Sequence, residues 1–342
     1  MINAAETFRT NKANIQLFLT RRCQLRCTYC PVDKSDKDMN PDIVRRAVDL
    51  LMTHRNTQVR LDFSGGDPLL RWDLLEEALG YAEKRARIRG KRLSFYLVTN
   101  AVAMSPRVLD ELLRHDLALN ISLDGGHRTN NSHRLPLHPG LNAYQAARRG
   151  LGMALSSGID LSVVQVVTPE SAGNLFENFT HLLDLGVRSV DINYAIGSLW
   201  EERKEALLFE QLDRIIQVYG EKLSRRELSL GNLNGRVEPA ALNTELMVDT
   251  DGSLHILSEW LFQTTPPDGE SPLDYGDVFQ TLDINGLYWG PFHAYAVLKH
   301  LYRGNVGVKR ILLNNIQLGK RVGKYFHDLK ARRFNGNLCL SG

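Results

Sequence analysis

The chain has 342 residues, 43% of them hydrophobic, and a formal net charge of +3. That length accommodates one large domain or a domain with a subdomain, and the apolar content excludes global disorder. A charge this close to neutral argues against a dedicated nucleic-acid binder, and no run of about 18 apolar residues marks a membrane span.

Residues 14–20 (NIQLFLT) form an apolar run that stops at a loop carrying three cysteines. Residues 41–54 follow with helical spacing at Ile43, Ala47, Val48, Leu50 and Leu51. Residues 58–63 (QVRLDF) alternate as a strand and meet Gly65 and Gly66. A helix is expected over 72–88 and a strand over 93–99 (LSFYLVT). Ser105 and Pro106 give the next helix an N-cap and a first-position proline. Further strands are predicted over 117–123, 160–167 and 188–194, and helices over 141–156, 169–185 and 200–223. Such alternation predicts an α/β fold: a partial (β/α)6 TIM-like barrel over residues 1–225, with its site at the C-terminal ends of parallel strands.

After about residue 225 the pattern changes, and residues 226–342 read as a C-terminal α+β extension. A Gly/Asn-rich connection spans 228–235, and 245–257 (ELMVDTDGSLHIL) reads as a hairpin turned by Asp251 and Gly252. A short strand is predicted over 275–282, and helix rich in basic residues from Gly290 onward.

Cys23, Cys27 and Cys30 form a C-x3-C-x2-C run, while the fourth cysteine, Cys339, is far away in sequence. Structural zinc wants four ligands in spaced pairs, and no second pair is present. A disulfide is not expected among three crowded cysteines in a chain whose first twenty residues form no secretory signal, so a reducing cytoplasm is the expected compartment. Three thiolates suit an iron–sulfur cubane that keeps one iron clear of protein ligands. The run resembles the signature of the radical S-adenosylmethionine (radical SAM) superfamily. The resemblance implies one [4Fe-4S] cluster on Cys23, Cys27 and Cys30, with S-adenosyl-L-methionine (SAM) on the open iron. It also implies an electron donor such as flavodoxin or ferredoxin. SAM is cleaved to a 5′-deoxyadenosyl radical that takes a hydrogen from substrate.

The same resemblance distributes the SAM contacts. Tyr29 matches the aromatic position that packs on the adenine. Gly65-Gly66-Asp67-Pro68 looks like a Gly-Gly-Glu-Pro motif with Asp in place of Glu. Asn100 belongs to a segment resembling Thr-Asn-Gly, with Ala101 in the glycine position. Residues 121–125 (ISLDG) resemble a segment of the peptide- and sulfatase-modifying branch, which makes Ser122 and Arg134 the expected contacts of the SAM carboxylate. Arg128 competes with Arg134 for that place. Asp124 either contacts substrate or the SAM ribose, or caps the following turn.

The hairpin and residues 275–278 (YGDV) resemble the SPASM/twitch extension of that branch, but the cysteines that hold its auxiliary clusters are missing. A degenerate extension without metals is the expectation. Cys339 is either a thiol that returns a hydrogen to a substrate radical or an ordinary tail cysteine. The basic tail (Lys309, Arg310, Lys320, Arg321, Lys324, Lys330, Arg332 and Arg333) either docks an acidic leader peptide or partner protein or is a solvated helix face. His127 and His133 are candidates for the substrate side. The resemblance favours a peptide substrate, modified by a reaction such as epimerisation or cross-linking and brought by a leader-binding partner or the tail. The alternative is a small metabolite such as a sugar, nucleoside or amino acid, altered by dehydrogenation, elimination or rearrangement.

Overall fold

The computed structural model describes residues 13–234, 239–257, 275–287 and 291–333. Cys339 and Arg333's side chain lie outside the described residues.

Six strand–helix repeats make the first part of the chain. Their strands are β1 (Asn14–Thr20), β3 (Gln58–Gly65), β4 (Arg92–Thr99), β5 (Leu117–Ser122), β7 (Asp160–Val167) and β8 (Ser189–Tyr194). Neighbours in that order pair in parallel. Among the intervening helices, α1 (Pro41–Met52) is capped by Asn40, whose side chain accepts from Asp42 N–H, and α2 (Trp72–Arg89) ends on left-handed Gly90. Alternate strand positions such as Ile15, Leu17, Leu61, Phe63, Leu97, Leu119 and Val163 are buried on the face that packs against the helices. This is the partial barrel the alternation predicts.

Two additions extend the sheet. Beyond β8, β9 (Ser229–Leu230) adds a parallel rung within the stretch expected to be a plain connection. At the other edge, β10 (Leu246–Val248) pairs in parallel with β1, and β11 (Leu254–Ile256) pairs antiparallel with β10. The predicted hairpin therefore completes the edge of the first strand, with Ile15 opposite Leu246. Arg21, at the start of the cysteine loop, forms an ion pair with Asp249, which is 3% exposed. The hairpin and the loop are locked together.

Two expectations are corrected, and one element is new. Residues 275–282 form no strand: a single bridge joins Ser253 to Asp277, and Gly276 turns the backbone through φ 68°. The helix expected from Pro169 begins at Leu175, after a 3-10 turn at Ala172–Asn174. A two-stranded antiparallel ribbon also appears that periodicity did not indicate, between β2 (Leu25–Cys27) and β6 (Arg134–Pro136).

The helix α7 (Glu202–Ser224) follows β8, and the chain closes with α8 (Pro291–Leu301) and α9 (Val306–Arg333). α9 carries the basic tail residues. Its apolar face is spent inside the fold: Leu312, Ile316, Leu318 and Phe326 are buried. The Asn315 side chain, 0% exposed, accepts from Gly197 N–H at 2.8 Å and donates to Ser198 O at 2.7 Å. Asn314 does the same for Trp200, accepting from its N–H and donating to its carbonyl, both at 2.8 Å. These two carboxamides fasten α9 over the loop that leaves β8.

Candidate active site

A cavity of about 450 Å³ opens at the C-terminal ends of the strands. Cys23, Cys27 and Cys30 line one side of it, together with Tyr29, Gly65, Gly66, Asn100, Ser122 and Arg134. The sequence-predicted cluster and SAM residues thus share one cavity, with the exception of Asp67.

The ribbon between β2 and β6 explains part of this convergence. It sets Cys27 directly opposite Arg134. A second backbone bond, from Thr28 N–H to His133 O at 2.9 Å, ties the cysteine loop to the segment that follows β5. Gly65 and Gly66 hold the other side. A Cβ on Gly66 would sit 1.8 Å from Arg22 O, and one on Gly65 would sit 2.5 Å from Thr20 O. Gly66 N–H donates to Thr20 O at 2.7 Å, and Asp67 N–H donates to Arg22 O at 2.8 Å. The sequence reading gave these glycines the task of admitting a ligand. In the structure the space they leave is taken by the backbone of the cysteine loop itself.

Asp124 gathers the far wall. Its carboxylate accepts from Arg134 Nε at 3.0 Å and Nη2 at 2.8 Å, from the Tyr29 hydroxyl at 2.5 Å and from Val166 N–H at 3.0 Å. The Arg134 guanidinium also lies 5.6 Å from the centre of the Tyr29 ring. Asp124 is 1% exposed and is not part of the cavity lining; its carboxylate holds Tyr29 and Arg134 in place. Arg134 Nη1 has no protein partner among the described residues, nor does the Ser122 hydroxyl, and both residues face the cavity. Arg128 is exposed and lies outside the lining. His133 bridges Thr28 and Thr168, each at 3.2 Å, and His127 packs edge-on against Tyr144; neither lines the cavity.

Asp67 sits beneath the lining, 0% exposed. Its Oδ1 accepts from Thr99 Oγ1 at 2.8 Å and Leu69 N–H at 3.2 Å, while Oδ2 has no partner. Burial pushes this carboxyl up to about 6.

Burial also pushes the thiols up: Cys23 is raised against the pull of Lys34, and Cys27 reaches about 12 against the pull of Arg134. Without metal these thiols are protonated at neutral pH, so loading a cluster displaces protons. The three thiols are free and face one space. Among the described residues no side chains close to the geometry of a single metal ion. A cubane bonds each thiolate to a different iron, so its cysteines have no need to meet at one point, and this donor set fits it.

The opposite half of the cavity was not legible in the sequence. It is built by Val166, Ile192, Asn193 and Tyr194 from the barrel, and by Gly319, Val322, Gly323 and Phe326 from α9. A Cβ on Gly319 would lie 2.5 Å from the Tyr194 hydroxyl and 2.8 Å from Pro239 Cβ. The Gly-x3-Gly spacing on a long helix was the available signal.

The sequence over residues 17–185 matches the family described as the radical SAM superfamily. The chain belongs to the radical SAM superfamily. Radical SAM enzymes use a [4Fe-4S] cluster and SAM, so these are the cofactors of this chain. Among relatives, it is 30% identical over 250 residues to a GTP 3′,8-cyclase of Rhodococcus opacus, covering 69% of this chain and 64% of that protein. Among solved structures, native anSMEcpe with bound AdoMet superposes with a TM-score of 0.73, over 95% of this chain and 99% of that one, at 14% identity. Streptococcus suis SuiB bound to the precursor peptide SuiA gives 0.56, over 89% and 70%, at 13% identity. At such identities the likeness is one of fold.

Proposed function

We propose that this radical SAM enzyme acts on a peptide. The observation that carries the reading is the charge of the cavity. Lys34 and Arg134 are the charged side chains in its lining among the described residues, and Arg134 is neutralised by Asp124. A nucleoside triphosphate, the kind of substrate named for the cyclase relative, needs a cluster of cations. A neutral peptide segment needs apolar contact and a few amide partners, which Ile192, Val322, Phe326 and Asn193 offer. The peptide-bound state of SuiB, which shares this fold, supports the same choice.

Once loaded, the cluster supplies the electron that cleaves SAM, and SAM the radical that removes a hydrogen from substrate. The protein's own residues position these events. Cys23, Cys27 and Cys30 hold the iron, Ser122 and Arg134 Nη1 offer contacts for the SAM carboxylate, and Asp124 fixes Arg134 and Tyr29. Gly319, Val322, Gly323 and Phe326 of α9 complete the cavity wall. In this reading residues 1–225 carry the cluster and SAM, and 226–342 are a SPASM/twitch-like extension that has lost its metals. Flavodoxin or ferredoxin in the cytoplasm supplies the electron, and a leader-binding partner presents the substrate.

The test is 5′-deoxyadenosine formation by anaerobically reconstituted enzyme, with host lysate divided at a few kilodaltons. Stimulation by the larger fraction, abolished by protease, is expected. Stimulation by the small fraction alone would replace the peptide with a metabolite. Cys339→Ala in the same assay would separate a hydrogen donor, whose loss lowers product yield, from an ordinary tail cysteine.

A further inference from the structure

Asn100 was expected to touch SAM. It lines the cavity, and its carboxamide also bonds to the cysteine loop. Oδ1 accepts from Val102 N–H at 2.9 Å, which fixes the orientation of the amide, because an NH2 group there would face another donor. Nδ2 therefore points the other way, to Gln24 Oε1 at 3.0 Å and to Cys23 Sγ at 3.5 Å. Asn100 is 7% exposed and Cys23 is 8% exposed, so little water competes for the sulfur. A second donor, Leu25 N–H, reaches the same sulfur at 3.4 Å. Among the described residues neither Cys27 Sγ nor Cys30 Sγ receives such a bond.

The backbone around Asn100 is arranged to hold it there. Ala101 takes φ 58°, a left-handed conformation that costs a residue with a Cβ about 1 kcal/mol or more. Ala101 N–H donates to Thr99 Oγ1 at 3.1 Å, and that hydroxyl donates to the buried Asp67. Gly150 makes the turn possible from the other side, since a Cβ there would lie 2.3 Å from Ala101 O.

We propose that Asn100 tunes the reduction potential of the cluster by donating a hydrogen bond to the sulfur of Cys23. The inference rests on the radical SAM assignment and on Cys23 as an iron ligand. An N–H directed at a ligating sulfur stabilises the more electron-rich, reduced cluster and raises its potential. Asn100 is a positioning residue in this role: it acts on the iron through Cys23 and makes accepting an electron easier.

The experiment is an EPR-monitored redox titration of anaerobically reconstituted wild type, Asn100→Leu and Gln24→Leu, without SAM, with iron and sulfide measured for each. Asn100→Leu keeps the shape and removes the donor, so its midpoint is expected to shift negative at full iron content. Gln24→Leu removes the other acceptor and leaves the sulfur bond, so its midpoint is expected to stay at the wild-type value or above. If Asn100→Leu does not load, Asn100→Ala takes its place with the same expectation. An unchanged midpoint in a fully loaded Asn100 variant overturns the proposal, as does an equal negative shift in Gln24→Leu. Failure of the wild type to assemble a cluster would instead remove the cluster reading on which it stands.

Discussion

Arg134 and Asp124 form a bidentate ion pair in which the arginine side chain is 6% exposed and the aspartate 0%. The pair sits between the cysteine ribbon and β7, so it joins two walls of the cavity. Removing one partner leaves the other charge buried. Asp124→Ala is therefore expected to lower apo-protein stability by about 3–5 kcal/mol, read from denaturant unfolding. A loss under about 1 kcal/mol would mean that Arg134 has an exit to water.

Gly66→Ala should damage the site without touching a ligand. The added methyl meets Arg22 O at 1.8 Å, which is backbone and has little room to yield. The cysteine loop must shift, and iron per chain after reconstitution is expected to fall several-fold. A stability loss on the order of 2–4 kcal/mol should accompany it in thermal unfolding.

Asp67 gives a pH signature. Its folded-state value is raised from 3.8 to about 6, so its contribution to stability is fully present below pH 3.8 and is lost as pH rises through about 6. Asp67→Asn removes the buried charge. It should stabilise the apo-protein by roughly 1–3 kcal/mol at pH 7.5, with the gain shrinking toward zero near pH 4. Unfolding of both proteins across that range checks the sign; a pH-independent difference would contradict it.

Asn315→Leu tests the fastening of α9. The substitution leaves Gly197 N–H and Ser198 O without their Asn315 partners in a part-buried place. A loss of about 2–4 kcal/mol is expected, with faster proteolysis of the loop after β8. Resistance equal to wild type would show that Asn314 holds the loop alone.

Much of the barrel was legible because its signals are local. Asn14–Thr20 and Asp160–Val167 were predicted with the bounds they take, being apolar or alternating runs between polar breakers. Ser105 caps its helix as expected, accepting from Val108 N–H. What escaped depends on distant pairing. The ribbon joins two three-residue segments that carry no periodicity alone, and β9 is two residues long. Cys23, Cys27 and Cys30 announced themselves by spacing. The partners of Asp124, and the cavity wall made by Gly319 and Phe326, exist only once remote elements meet.

The pairing of β10 with β1 sets a timetable for biosynthesis. The first strand leaves the ribosome early, yet its outer edge stays uncovered until Leu246–Val248 has been translated. The nascent chain must carry an open strand edge, a site of mispairing, through most of its synthesis. Arg21, at the mouth of the thiol loop, lacks Asp249 for the same interval. Iron delivered before that point would meet a thiol loop tied by the β2–β6 ribbon but not yet by Asp249. The full anchorage of the thiol loop is thus complete only when the last third of the polypeptide has emerged.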